Sequence, residues 1–181
     1  MSMLHERSPA IVSPTDPSAP GMRFDVETLA ATELASLSHW VAWAYEPRPG
    51  DPKPTKVPRQ PRSGWNASTT TPSHWAPFEV AVARAHQEGW GVGFVFHATL
   101  NPFAGVDLDA CRDPQTGLLV PWAQSIVAAF DSYTEVSPSG CGVKIIVRGK
   151  PRHHGKKLGA GGTAVEVYGQ ERYFTLTGWA V

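Results

Sequence analysis

Several features that would mark a particular class of protein are scarce or absent in this chain of 181 residues. It has two cysteines, Cys111 and Cys141, without CxxC spacing, which excludes a disulfide scaffold and a zinc site built from cysteine alone. No apolar run approaches the roughly 20 residues that span a bilayer, and the first residues show no basic region followed by an apolar one. These absences predict a soluble, non-exported, cytoplasmic protein with no membrane partner.

The chain also has no net charge, because sixteen Lys and Arg balance sixteen Asp and Glu. The overall charge therefore does not indicate a class of binding partner. Long helices are not expected, since seventeen Gly and seventeen Pro favour turns and short elements. What the chain does have is a hydrophobic fraction of 41% with seven Trp, seven Phe and four Tyr, which can fill a core. The length suits one domain.

The sequence divides into a Ser- and Pro-rich arm, residues 1–22, which we expect to be disordered, and one folded domain, residues 23–181. Periodicity predicts helices over 26–37, 75–87 and 121–130, and strands over 39–45, 91–96, 104–108, 133–137, 142–148, 164–168 and 173–177. Strands 91–96 and 104–108 are expected to be neighbours. The Pro-rich basic segment 46–61 reads as an exposed loop or an edge strand. This order favours the α+β class.

The strongest local signal for chemistry is the pair Asp107 and Asp109 at the end of a buried strand. Residues two apart on a strand point to the same face, so the two carboxylates would lie side by side. Like charges at that separation favour a cation between them, and Mg²⁺ commonly takes one or two carboxylates together with substrate phosphates. Two solvated loop acids remain the alternative.

Glu166 is a third candidate acid, because it alternates with Val165 and Val167 and so faces away from them on its strand. If that side is the cleft, three carboxylates could share one or two metal ions and support in-line phosphoryl transfer. A surface Glu on a half-exposed strand is the simpler interpretation when this residue is taken alone.

A Gly-rich turn separates these acids in sequence and leads into a strand. Its hydroxyls and exposed backbone N–H groups can cradle phosphate oxygens, and a Lys at the start of the following strand can add a point charge. The residues concerned are Ser137, Ser139, Gly140, Gly142 and Lys144.

A basic stripe without an acid begins at that Lys. It consists of Lys144, Arg148, Lys150, Arg152, Lys156 and Lys157, together with His153 and His154. Such a stripe suits a nucleic-acid backbone or triphosphates, and a solvated hairpin is the alternative. Trp65 beside Arg62 is a weaker candidate for stacking on a base.

In this order the motifs resemble the archaeo-eukaryotic primase superfamily, specifically the primase-polymerase domains of phage, plasmid and other mobile-element replication proteins. The resemblance runs from about Trp40 to Gly178. Asp107 and Asp109 match its first motif, the turn into Lys144 its second, and Glu166 its third. The chain departs from many members at Lys144, where they have His.

The resemblance implies two α+β lobes, one like an RNA-recognition fold, with a metal-binding cleft between them. It implies Mg²⁺ or Mn²⁺ on Asp107, Asp109 and Glu166, and a nucleoside triphosphate beside the second motif. Arg172 would be a phosphate or template contact and Lys56 a further one, while Arg148 belongs to a flanking segment that also looks like these domains.

The predicted function is therefore template-directed synthesis or extension of primers on single-stranded DNA from NTPs or dNTPs, with a helicase domain or subunit as a further partner. Two alternatives stay open. One is a non-catalytic single-stranded DNA-binding module, and the other is a metal-dependent nuclease that uses the same carboxylates.

Overall fold

Two four-stranded sheets and three short α-helices make up the computed structural model, which describes residues 22–152, 155 and 164–181. The first sheet contains β1 (Trp40–Arg48), β2 (Asp51–Arg59), β3 (Gly91–Phe96) and β8 (Arg172–Leu176), in the order β2-β1-β3-β8. The second contains β4 (Phe103–Asp109), β5 (Thr134–Val136), β6 (Val143–Arg148) and β7 (Ala164–Tyr168), in the order β5-β6-β4-β7. Every pairing between these strands is antiparallel, which fits the α+β class.

The helices are α1 (Val26–Ala30), α2 (Phe78–Glu88) and α3 (Pro121–Phe130). Within the described ranges, no helix is both long and apolar enough to cross a membrane. Most of the predicted arm, residues 1–21, lies outside the described residues, as do His153, His154, Lys156 and Lys157 of the basic stripe.

Two helix predictions need correction. The helix expected over 26–37 ends at Ala30, because Thr32 is extended and a 3₁₀ turn over Glu33–Ser36 follows. The helix expected from residue 75 begins at Phe78 instead. Trp40 and Ala76 exchange two backbone hydrogen bonds of 2.9 and 3.0 Å, and Pro77 disfavours helical geometry in the residue before it. Gly89 ends this helix as predicted, with a φ of 68°.

The expectation that strands 91–96 and 104–108 are neighbours is wrong. β3 lies between β1 and β8, whereas β4 lies between β6 and β7 in the other sheet. The connection is fixed by Asn101, whose side chain donates to the carbonyl of Val95 at 3.2 Å and accepts from the amide of Phe103 at 3.1 Å. The segment 46–61 contains the end of β1 and the edge strand β2, so the edge-strand interpretation is correct for Asp51–Arg59.

The two faces of the second sheet have different coverings. Val106, Leu108, Val143 and Ile145 are buried together with Ala123 of α3 and cover one face. On the other face, Phe103 and Ile146 pack with Phe94, Phe96 and Phe174 of the first sheet. Gly105 permits this close approach, because a Cβ there would lie 2.2 Å from the Phe174 ring. On the face of β4 that carries the acids, exposure increases from buried Gly105 through partly buried Asp107 to exposed Asp109.

Candidate active site

The predicted acids belong to a row of charged residues that crosses the second sheet. Glu135 pairs with Lys144, Lys144 with Asp107, and Asp107 with Glu166. Residues directly opposite each other on neighbouring strands present their side chains on the same face, with Cβ atoms about 5 Å apart. The row therefore places one cation and three carboxylates on the face opposite α3.

Asp109 extends this row by one step along β4, since it lies two residues beyond Asp107 on the same face. Its pKa is raised, first by desolvation and then by the neighbouring carboxylates of Asp107 and Glu166, while Lys144 and Lys53 oppose the rise. A cation bound beside these three carboxylates would reduce the repulsion among them.

Lys144 reaches across to its strand neighbour, and its Nζ donates to Oδ2 of Asp107 at 2.8 Å. The ammonium group also lies 4.3 Å from the centre of the Phe174 ring. Both members of this ion pair are mostly shielded from solvent, with side-chain exposures of 7% and 19%. The residue expected to contact a triphosphate is thus in direct contact with a predicted metal ligand.

The Gly-rich turn lies against the end of β4. A Cβ at Gly142 would lie 2.6 Å from the carbonyl oxygen of Leu108 and 3.6 Å from the Cα of Asp109, so glycine is required for this close approach. The hydroxyls of Ser137 and Ser139 are hydrogen-bonded at 3.0 Å. The second predicted motif therefore meets the first one in space.

Arg172 approaches the same region through an aromatic residue. Its guanidinium lies 5.3 Å from the centre of the Tyr168 ring, and the Tyr168 hydroxyl donates to the Glu166 carboxylate. Burial and the interaction with Glu166 raise the pKa of Tyr168 to about 12. Sequence reasoning missed Tyr168, although its position two residues after Glu166 on one strand puts both side chains on the same face.

Lys56 reaches these acids from the first sheet. Its pKa is lowered to about 8, chiefly by desolvation and in addition by Lys144 and Lys53, while Asp107 and Asp109 act in the opposite direction. Its ammonium lies 5.7 Å from the Trp43 ring centre. Strand β2 thus adds a cation to the charged cluster.

The remaining predicted nucleic-acid contacts are placed elsewhere. Arg148 lies four residues beyond Lys144, roughly 13 Å along β6, where it pairs with Glu33. Lys150 and Arg152 are exposed in the segment that follows. The structure does not bring these three residues to the acids.

Glu135 is the main residue that sequence reasoning missed. It is 0% exposed and accepts hydrogen bonds from the amides of Thr177 and Gly178 and from the Tyr133 hydroxyl, at 2.8 to 2.9 Å. A signal was present, because a hairpin closed by the Gly-rich turn, with Val136 opposite Val143, necessarily sets Glu135 opposite Lys144. Burial nevertheless raises the pKa of Glu135.

No three His, Cys, Asp or Glu side chains within residues 22–152, 155 and 164–181 are grouped so that they could hold a metal ion as they stand. Lys144 engages Asp107, and Tyr168 engages Glu166. A site with fewer than three protein ligands is compatible with the donor chemistry of Mg²⁺, which commonly uses one or two carboxylates plus water and substrate phosphates. Asp107 and Asp109 supply two such carboxylates on one face.

The lowered pKa of Lys56 predicts how stability depends on pH in the metal-free protein. Folded Lys56 loses its proton near pH 8, whereas the unfolded chain keeps it until about pH 10.5. Between these values the unfolded state binds more protons, so stability should rise with pH relative to a Lys56→Met variant. Urea unfolding in a chelator from pH 7 to 10.5 measures this. Lys150→Met, at an exposed lysine that does not act on Lys56, is the control, and parallel curves for wild type and Lys56→Met would contradict the assignment.

Carboxylates, a hydroxyl-bearing turn and two lysines therefore converge in an antiparallel α+β domain. A comparison with curated proteins finds the DNA primase-polymerase of Nitratiruptor phage NrS-1, which is 36% identical over 157 residues. The match covers 84% of this chain and 21% of the relative, so the chain spans about a fifth of the relative's length. No protein-family model matches. The similarity confirms that the chain carries a domain of the primase-polymerase kind.

Proposed function

We propose that this chain is a template-directed nucleotidyltransferase that synthesises or extends primers on single-stranded DNA in the replication of a phage, plasmid or other mobile element. The observation that carries the proposal is the row that aligns Lys144, Asp107 and Glu166 on three adjacent strands, with Asp109 beside it. The similarity to a protein named DNA primase-polymerase supports it.

The donor set suits Mg²⁺ or Mn²⁺, because the carboxylates are oxygen ligands, and because desolvation together with the charges of Asp107 and Glu166 raises the pKa of Asp109. Asp107 and Asp109 would be the first ligands and Glu166 a third. A bound divalent ion would supply Lewis-acid stabilisation of the charge that develops on the transferred phosphoryl group.

The chain's own side chains would bind and orient the triphosphate. Ser137, Ser139 and the backbone of the Gly-rich turn lie against the end of β4, where their donors can hold phosphate oxygens. Lys144 is positioned to exchange its Asp107 contact for a phosphate contact, and it acts as a point charge rather than as an acid or base. Arg172 would add a phosphate or template contact.

The proposed cleft lies where the first sheet, through Lys56, approaches the acid row of the second. In this arrangement the two sheets would be the cores of two lobes, with the template and the incoming nucleotide between them. A helicase domain or subunit would be a partner of the whole replication protein.

The test is incorporation of labelled NTPs or dNTPs by the purified chain on single-stranded DNA with Mg²⁺ or Mn²⁺, with and without an annealed primer. Products without a primer would establish priming, and products only with a primer would establish extension. Loss of labelled DNA without added nucleotides would indicate a nuclease, and template binding without any product would indicate a binding module.

A further inference from the structure

Trp65 is an aromatic side chain that the candidate active site does not use. It is 75% exposed, the highest value among the large hydrophobic side chains of the described residues. Its backbone is nevertheless well fixed. Its carbonyl accepts from the amide of Gln60 at 2.8 Å, and the amide of Gly64 donates to the carbonyl of Gln60 at 2.8 Å. The turn between them uses a φ of 78° at Gly64, which favours glycine. The indole is therefore presented to solvent by an ordered turn.

The surroundings of this indole are polar and cationic. A shallow depression beside it is lined by Arg59, Gln60, Asn66, Arg84 and Glu88 among others. The guanidinium groups of Arg59 and Arg84 line the depression, and Arg62 lies three residues before Trp65 in the chain. Glu46 pairs with Arg59 and Glu88 pairs with Arg84, while Arg62 is exposed and donates to the carbonyl of Trp75 at 3.0 Å. The charge excess is positive, and it is carried by Arg62.

Strand β2 connects this region to the acid row. It is an edge strand of the first sheet. Residues 48–62 contain five basic residues and one acid: Arg48, Lys53, Lys56, Arg59, Arg62 and Asp51. Lys56 interacts electrostatically with Asp107 and Asp109, and Arg59 follows three residues later, roughly 10 Å along the strand. Because residues three apart on a strand project to opposite faces, Lys56 and Arg59 place positive charge on both sides of this edge strand, between the acid row and the turn that carries Trp65.

We propose that Trp65 and Arg62 form a stacking subsite for single-stranded DNA, in which a base lies on the indole and the guanidinium contacts the adjoining phosphate. Base stacking on an aromatic ring tolerates every sequence because each base has a π-face, which suits a template of any sequence. A protein partner is the poorer fit, since the surface is a single indole among Arg, Gln and Asn rather than a continuous apolar patch. The inference rests on the proposed function for the identity of the strand as template.

The test measures binding of a labelled oligo-dT to the full chain without nucleotides. Trp65→Ala should weaken binding by about fivefold to a hundredfold, and Trp65→Phe should retain most of the affinity because it keeps a ring. Leu118→Ala, which removes another large exposed side chain of 67% exposure, should leave binding unchanged. Arg62→Ala should reduce the slope of log affinity against log salt by about one.

The outcomes separate this inference from the proposed function. The inference is overturned if Trp65→Ala binds oligo-dT as tightly as the wild type, or if the wild type does not bind it, whatever the synthesis assay shows. Binding that depends on Trp65 in a chain that incorporates no nucleotide would support the subsite and contradict the proposed activity. Because Trp65 is mostly exposed, an unchanged urea midpoint in Trp65→Ala is expected and verifies folding.

Discussion

Asp109→Asn is expected to reduce nucleotide incorporation at least about a thousandfold while the protein stays folded. The substitution keeps the side-chain shape but removes the negative charge of a carboxyl group whose pKa is raised by desolvation and by the neighbouring Asp107 and Glu166. A divalent ion held there would contribute several kcal/mol of transition-state stabilisation, and each 1.36 kcal/mol is a factor of ten in rate. The measurement is single-turnover extension of an annealed primer.

The matched control is Asp131→Asn. Asp131 is exposed and ends α3 with a φ of 42°, a left-handed conformation that Asn tolerates, so neither fold nor rate should change. Asp109 is itself exposed, and removing repulsion among the acids should leave its variant at least as stable as the wild type. A rate within tenfold of wild type in a folded Asp109→Asn protein would remove the acid from the mechanism.

The parts of the fold that were predictable are those that local pattern determines. The run Gly91–Phe96 is wholly buried and was assigned its correct bounds, and the helix Pro121–Phe130 begins at a proline that suits the first helical position. The partner of each strand was not predictable in the same way. β3 and β4 follow one another in the chain, yet long-range pairings with β8 and β7 separate them into two sheets.

The candidate site shows the same division. Alternation along one strand put Asp107 and Asp109 on a common face, and the same alternation set Glu166 opposite its neighbouring valines. The alignment of Glu166 and Lys144 with Asp107 depends on the register of strands that are far apart in sequence. The approach of Lys56 depends on how the first sheet meets the second, which no local pattern contains.

Glu135 has the largest expected effect on stability. Its buried carboxylate on β5 accepts from Thr177 and Gly178 just after β8, and therefore ties the two sheets together. Glu135→Ala would leave those two amides without their acceptor, and breaking such a buried charged contact costs about 3–5 kcal/mol. Glu135→Gln should also destabilise the fold. Each carboxylate oxygen accepts from a backbone amide, so the Gln amide nitrogen, which is a donor, would face one of these N–H donors. Urea denaturation at neutral pH gives both values.

Glu79→Gln is the control, since Glu79 is exposed in the first turn of α2 and contributes no such contact to the junction. A midpoint for Glu135→Gln equal to that of Glu79→Gln would show that the Glu135 carboxylate does not tie the two sheets together. Lys144 adds a second readout. It lies opposite Glu135 and opposes the rise that burial causes in the pKa of that carboxyl, so the two groups interact across the strands. A Glu135→Gln protein that still folds should therefore have a lowered KM for the nucleotide, because the loss of a negative charge beside Lys144 leaves the proposed triphosphate site more positive.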